Sequence, residues 1–199
     1  MSEKPDISEI QDAVRKKYAE VSQTAEGKFA YLTGREGARA LGYDLSMLSD
    51  LPPEVMKSYC GVGNPFVLGA IEKGESVLDI GCGAGFDLIV AGRMVGPSGR
   101  VCGIDLTPEM TYRARESLAL AGAANFEIKL AGSESIPYDS STFDVVISNG
   151  VLNLSPQKER SFQEIYRVIK PGGRLQIADV VLNADTNHEI PGTLEAWCD

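Results

Sequence analysis

The stretch Ser76-Val77-Leu78-Asp79-Ile80-Gly81-Cys82-Gly83-Ala84-Gly85-Phe86 decides how the rest of the chain is read. A short β-branched run ends in three glycines at alternate positions, and a helical pattern begins at Phe86. A near-continuous apolar run suits a strand buried on both faces, and glycine is needed where the main chain turns tightly or meets a ligand without a Cβ in the way. Working outward, strand and helix patterns keep alternating. Phe86 to Val95 reads as a helix stopped by Gly96-Pro97, and Arg100 to Asp105 as a second strand. Thr107 is expected to cap the next helix, with Pro108 at its first position, Met110, Ala114, Leu118 and Ala121 as its buried stripe, and Gly122 at its end. Phe126 to Leu130 and Phe143 to Ser148 read as a third and a fourth strand. Ser155-Pro156 is expected to start a helix with Phe162, Ile165 and Ile169 facing inward, ended by Lys170-Pro171-Gly172-Gly173, before a fifth strand from Arg174 to Leu182.

Strands joined by helical crossovers predict an α/β fold, a Rossmann-like and mostly parallel sheet with helices on both faces and ligands above the carboxyl ends of the strands. About 17 residues follow Leu182, so the C-terminal part of the sheet is expected to be incomplete. The N-terminal part has another texture. Ile7, Ile10, Val14, Tyr18 and Val21 recur at helical spacing, and Asp6 with Glu9 reads as an acidic capping box. Residues 25–66, rich in Gly, Ser and Pro, read as short helices and loops that settle on a neighbouring surface. The division expected is an N-terminal helical cap over 1–66 and a ligand-binding Rossmann-like domain over 67–199.

Composition narrows the partners. Of 199 residues, 28 are acidic and 19 basic, a formal charge of -9. That field repels nucleic acid and anionic bilayers, so neither is an expected partner. No apolar run approaches the ~18 residues of a membrane span, and the polar stretch from Met1 to Asp12 is no secretory signal. Four cysteines at 60, 82, 102 and 198 form neither a disulfide framework nor a zinc signature, which points to the cytoplasm and to no bound metal.

Charge also separates the ligands a glycine turn can serve. The glycines at 81, 83 and 85 miss the G-x-G-x-x-G dinucleotide spacing by one residue, and Gly85-Phe86-Asp87 lacks the lysine of a phosphate loop. Asp79 precedes the first glycine and Asp105 closes the next strand. Taken singly each feature has a structural use, the glycines in a strand-to-helix turn and an aspartate at a strand end as a cap for the next helix. Together they disfavour a pyrophosphate and favour a cation in a partly desolvated cleft, with Asp105 placed for two ribose hydroxyls. An adenosine bearing a cationic amino-acid tail, S-adenosylmethionine, suits both acids.

On Asp79 to Gly85 the chain resembles the class I S-adenosylmethionine-dependent methyltransferases. Leu130-Ala131-Gly132-Ser133-Glu134-Ser135-Ile136-Pro137-Tyr138 and Val168-Ile169-Lys170-Pro171-Gly172-Gly173-Arg174 are similar to further segments of that class. The resemblance implies that the backbone N–H of Ser133 and the carboxylate of Glu134 read the adenine. A narrower likeness, over about residues 14 to 197, is to the arsenite methyltransferases and their relatives. It rests on Val14 to Tyr18, Gly61-Val62-Gly63-Asn64-Pro65, Asp105-Leu106-Thr107-Pro108-Glu109-Met110 and Ile147 to Pro156. It implies a cofactor set of Tyr18, Asp79, Gly81, Gly83, Gly85, Asp105, Leu106, Ser133, Glu134 and Asn149, and a small-molecule methyl acceptor near Asn149 and Asn153. For Tyr18 a plain buried position on an amphipathic helix is the alternative.

The departures from that family fall on its arsenic-binding thiols, which a soft metalloid prefers. Its Ser-Asn-Cys is Ser148-Asn149-Gly150 here, and Gly63 stands where a cysteine often precedes Asn-Pro. Cys82 and Cys102 read as core residues, leaving Cys60 and Cys198 as candidates. His188, the only histidine, reads as solvated. Methyl transfer from a sulfonium needs placement and exclusion of water more than acid–base work, so no general base is assigned. Two alternatives to an arsenite methyltransferase-like enzyme stay open: a methyltransferase for a small organic metabolite, and a truncated or non-catalytic cofactor-binding module.

Overall fold

The computed structural model describes residues 5–181, 194 and 197. Its apolar runs form five parallel strands: β1 (Ser76–Ile80), β2 (Arg100–Asp105), β3 (Phe126–Leu130), β4 (Phe143–Asn149) and β5 (Ile169–Ala178), in the order β3-β2-β1-β4-β5. Crossovers through α3 (Phe86–Val95) and α4 (Pro108–Leu120) carry the chain outward from β1, and β4 then returns to the other side of β1. The reversal lies between β1 and β4, where a cleft opens at the strand ends. The sheet and helices are the α/β Rossmann-like arrangement expected.

β1 shows why its run does not alternate. Leu78 and Ile80 pack with Phe143, Val146 and Ile165 on one face, and Val77 packs with Leu88, Val101 and Ile147 on the other. The N-terminal segment belongs to that second face. After α1 (Ile7–Val21) and α2 (Gly34–Ala40), three short 3-10 turns bring Leu48, Val55, Met56 and Tyr59 into the same core as Val77 and Leu88. The capping box of α1 forms as expected, Glu9 N donating to Asp6 Oδ1 at 2.8 Å and Asp6 N to Glu9 Oε2 at 2.9 Å. Ile7 lies outside the buried stripe, at 45% exposure.

Several sequence expectations need correction. Thr107 occupies the position before α4, but its side chain makes no capping bond; Asp105 Oδ1 accepts from Thr107 N at 2.8 Å instead. The next helix, α5 (Lys158–Val168), starts later than Ser155 and buries Ser161, Ile165 and Val168, leaving Phe162 45% exposed. Ser161 holds the inward position because its hydroxyl bonds Ser133 Oγ at 2.8 Å and Ser155 Oγ at 3.0 Å. Ile169 is not on that helix; it pairs with Phe143 at the start of β5. The glycine-rich segment is a bulge between that pair and Val145 with Arg174, closed by Lys170 Nζ on Asp144 at 2.8 Å. β5 ends at Ala178, and Asp179 turns back so that its Oδ2 accepts from Leu152 N and Asn153 N at 2.9 and 3.1 Å; Leu182 lies outside the described residues.

Candidate functional site

The three glycines have separate tasks. Gly81 turns the chain out of β1 at φ +67°, and a Cβ there would meet Val151 Cγ2 at 2.3 Å. Gly83 faces open space and donates its N–H to Asp105 Oδ2 at 2.9 Å. Gly85 precedes α3, where a Cβ would press on the Ala114 backbone at 3.2 Å, so its bareness lets α3 and α4 approach.

Above this turn lies a cleft of about 800 Å³ counted to its open mouth. Gly81 and Gly83, the β2 end with Asp105 and Leu106, the Ser133-Glu134 loop, and Asn149 to Val151 after β4 form its walls. Gln11, Val14 and Tyr18 of α1 and Cys60 complete it. Eight of the ten expected cofactor residues line the cleft: Tyr18, Gly81, Gly83, Asp105, Leu106, Ser133, Glu134 and Asn149. Asp79 and Gly85 stand behind the lining, Asp79 at only 2% exposure. Asn153 is not in the lining, and His188 and Cys198 lie outside the described residues. No lysine, arginine or histidine lines the cleft among the described residues.

Polar contacts set each wall. Asp105 is fixed at both oxygens by Gly83 N and Thr107 N. Burial raises its carboxyl above the usual value, and these N–H donors pull it back. Glu134 Oε1 accepts from Ser155 Oγ at 2.6 Å, tying the cleft loop to the segment before α5.

One network had no counterpart in the sequence reading. Asn149 Oδ1 accepts from Val62 N and Gly63 N at 2.9 and 3.1 Å, and its Nδ2 lies within hydrogen-bonding distance of Gly63 O, Asp87 Oδ2 and Tyr43 Oη. Tyr43 Oη donates to Asp87 Oδ1 at 2.7 Å. Asn149 thus lines the cleft, but its amide clamps the 61–63 segment to β4. The only local sign was an acid in the first turn of α3, where the helix dipole favours one. The same clamp packs Val62 over Gly150, where a Cβ would sit 3.3 Å from it. The two segments where the family resemblance implies thiols therefore converge, and neither carries sulfur. Cys60 is the one cysteine in the described lining; burial, then Asp105 and Asp87, push its thiol up to about 12.

Burial also raises the Asp87 carboxyl from 3.8 to about 6, against the Asn149 and Tyr43 donors. The folded chain then binds this proton more tightly than the unfolded chain, so its contribution to stability is full below about pH 4 and is lost as pH rises through about 6. Thermal unfolding should show a midpoint that falls between pH 5 and 7, and Asp87→Asn should lessen that fall. Glu75 and Glu164, held low by Arg174 and Arg167, lose their contributions only at lower pH, outside that window.

Residues 71–199 match a family described as a methyltransferase domain. An arsenite methyltransferase of Halobacterium salinarum is 38% identical over 193 residues, 90% of this chain and 49% of that protein. A ubiquinone/menaquinone biosynthesis C-methyltransferase of Enterobacter is 38% identical over 111 residues, 55% of this chain and 44% of that protein. Among solved structures, an arsenic(III) S-adenosylmethionine methyltransferase of Chlamydomonas reinhardtii superposes with a TM-score of 0.61 at 39% identity, over 67% of this chain and 47% of that one. The chain spans about half the length of the curated relatives it matches.

Proposed function

Because the chain belongs to the methyltransferase domain family over residues 71–199, we propose that it binds S-adenosylmethionine in this cleft and transfers the methyl group to a small acceptor. The observation that carries the reading is electrostatic. Buried carboxyls stand under and beside a bare glycine turn, in a cleft whose described lining holds no cation. A diphosphate would meet repulsion there, and a cationic adenosine derivative meets attraction.

The residues present fit that cofactor. Asp79 is a buried carboxyl to which no described group donates a hydrogen bond, so a cationic ligand would offset its burial. Asp105 sits at a strand tip with lone pairs left over for ribose hydroxyls after its two N–H donors. The Ser133-Glu134 loop and Leu106 flank the place for the adenine, the main chain at Gly81 and Gly83 leaves room for the tail, and Tyr18 closes the cleft from α1. When bound, the cofactor supplies a methyl group already activated on a sulfonium sulfur. The protein's part is then to hold the acceptor in line and keep water out. Residues 1–66 act in this reading as the cap that closes the cleft, and 67–199 as the binding domain. No described helix is long and apolar enough to cross a membrane; the cytoplasm stays the compartment that the spacing of the cysteines suggests.

The relatives named above support an acceptor of the arsenite methyltransferase-like class. A small organic metabolite is the second reading, favoured by the sulfur-free junction of Val62 and Gly150. Calorimetry with S-adenosylhomocysteine tests the cofactor; a cleft that takes NAD or ATP and ignores the thioether overturns it. Arsenite with a thiol reductant, run beside a panel of small organic acceptors, then separates the two acceptor classes by which product carries the methyl group.

A further inference from the structure

We propose that Ser161 is a positioning residue for ligand recognition: its buried hydroxyl sets the direction of a hydrogen-bond chain that makes the Ser133-Glu134 wall welcome a 6-amino purine and reject a 6-oxo purine. The inference rests on the cofactor reading above and goes beyond it to the residues behind the wall that fix its polarity.

Three buried hydroxyls form a row from the cleft wall to α5 and back. Ser133 Oγ stands 2.8 Å from Ser161 Oγ, and Ser161 Oγ stands 3.0 Å from Ser155 Oγ. Ser155 Oγ then lies 2.6 Å from Glu134 Oε1. Each hydroxyl has one hydrogen to give, and a carboxylate can only accept. The hydrogen of Ser155 therefore goes to Glu134. The 3.0 Å contact is then bridged only by the hydrogen of Ser161, and the 2.8 Å contact only by that of Ser133. Donation runs one way, from Ser133 to Ser161 to Ser155 to Glu134, and each link polarises the next. Ser155 Oγ also accepts from Gln157 N at 3.1 Å, which fills its lone pairs. Gln157 O competes for the Ser161 hydrogen from 3.4 Å, and using it would leave the shorter contact with Ser155 without a hydrogen.

This direction decides what a ligand meets. Ser133 and Glu134 both line the cleft. With its hydrogen turned inward to Ser161, Ser133 Oγ offers the cleft lone pairs alone. Glu134 Oε1 is held by Ser155, and no described group donates to Oε2. Arg160 of α5 fixes the main chain of the same residue, its Nε donating to Glu134 O at 2.8 Å. The side chains of this wall are thus acceptors without donors. An exocyclic amine brings two N–H groups to them, whereas a ring carbonyl brings lone pairs against lone pairs and leaves both sides unpaired. Without the Ser161 hydroxyl, Ser133 is free to turn its hydrogen to the cleft, and the wall loses its sign. The burial pattern agrees. Ser161 is fully buried while the neighbouring Phe162 stays exposed, so a hydroxyl holds a place that packing alone would give to an apolar side chain.

Calorimetry of the full chain with S-adenosylhomocysteine and with its deaminated analogue, S-inosylhomocysteine, reads the polarity of the wall. Wild-type protein is expected to favour the amino ligand about tenfold or more, because the carbonyl leaves the acceptors unpaired. Ser161→Ala should cut that ratio about fivefold, the amino ligand weakening and the oxo ligand gaining a bond from the freed Ser133 hydroxyl. The Ser133 main-chain N–H is untouched, so part of the preference stays. In a Ser133→Ala background, Ser161→Ala should no longer improve binding of the oxo ligand, since the two hydroxyls act as one unit. Ser155→Ala breaks the chain one link further on and should lower the ratio in the same direction, which keeps the test open should Ser161→Ala not fold. Equal wild-type affinities, or a Ser161→Ala variant that weakens both ligands alike, overturn the role of Ser161 and leave the cofactor reading intact. If wild-type protein binds neither ligand, the cofactor reading fails and this inference falls with it.

Discussion

Gly81→Ala should lower the stability of the protein by about 2–5 kcal/mol, measured as the shift in a denaturant or thermal midpoint. Two physical costs add. A side chain at φ +67° sits in the left-handed region, which costs an L-residue about 1–2 kcal/mol. Its Cβ would also lie 2.3 Å and 2.6 Å from the two γ-carbons of Val151 and 3.0 Å from its β-carbon. Valine is stiff at χ1, so no rotamer relieves all three contacts, and overpacking of this kind costs about 1–3 kcal/mol. Val151→Ala in the same chain removes the contacts with the γ-carbons and leaves the dihedral cost. The double variant should therefore recover about half of the loss. Full recovery would mean that the backbone at Gly81 carries no strain; no recovery would mean that Val151 is not the obstacle. Because Gly81 and Val151 both line the cleft, S-adenosylhomocysteine affinity should fall with the single variant as well.

Asp105→Ala is expected to weaken S-adenosylhomocysteine by about 1–3 kcal/mol, the range for hydrogen bonds to a charged group, or about five- to 150-fold in Kd. The change removes two things at once. It takes away the acceptor for the proposed ribose hydroxyls, and it frees Gly83 N and Thr107 N, which hold the glycine turn and the start of α4 in register. A ligand lacking both ribose hydroxyls separates them. The dideoxy analogue should bind wild-type protein weakly and lose little more in the variant, because residues in contact couple in a double cycle. If the parent ligand binds Asp105→Ala as well as wild type, the ribose role is rejected. If the dideoxy analogue loses as much as the parent, Asp105 acts through the loop alone.

Much of the architecture was legible from local pattern. β1, α3, β2 and β3 run between the residues at which the expected apolar runs and glycine stops begin and end, because each boundary is set by neighbours within a few positions. The capping box of α1 is another such case: Asp6 and Glu9 are three residues apart and need only each other. The inward face of α5 was misread for the complementary reason. Phe162 is the more apolar residue, but Ser161 takes the core position through a hydroxyl 28 residues away on Ser133. Hydrophobic periodicity carries no information about such a partner. Thr107 is similar: the cap-forming residue type was in place, and the carboxylate of Asp105 supplied the bond.

The candidate site divides along the same line. Sequence alone determined the glycine turn after a buried strand, the two acids that frame it and the sign of charge the cleft would welcome, since these lie within one strand–turn–helix unit and the strand that follows. Only the tertiary structure decided that Asp79 stands behind the lining without a donor, and that Asn149 ties β4 to a segment 86 residues earlier at Gly63. It also decided that α1 forms a wall of the cleft. The reason is physical. Turns and strand ends follow from torsional preference and burial along the chain, whereas the charge and hydrogen-bond state of a buried carboxyl depends on which distant groups the fold brings to it.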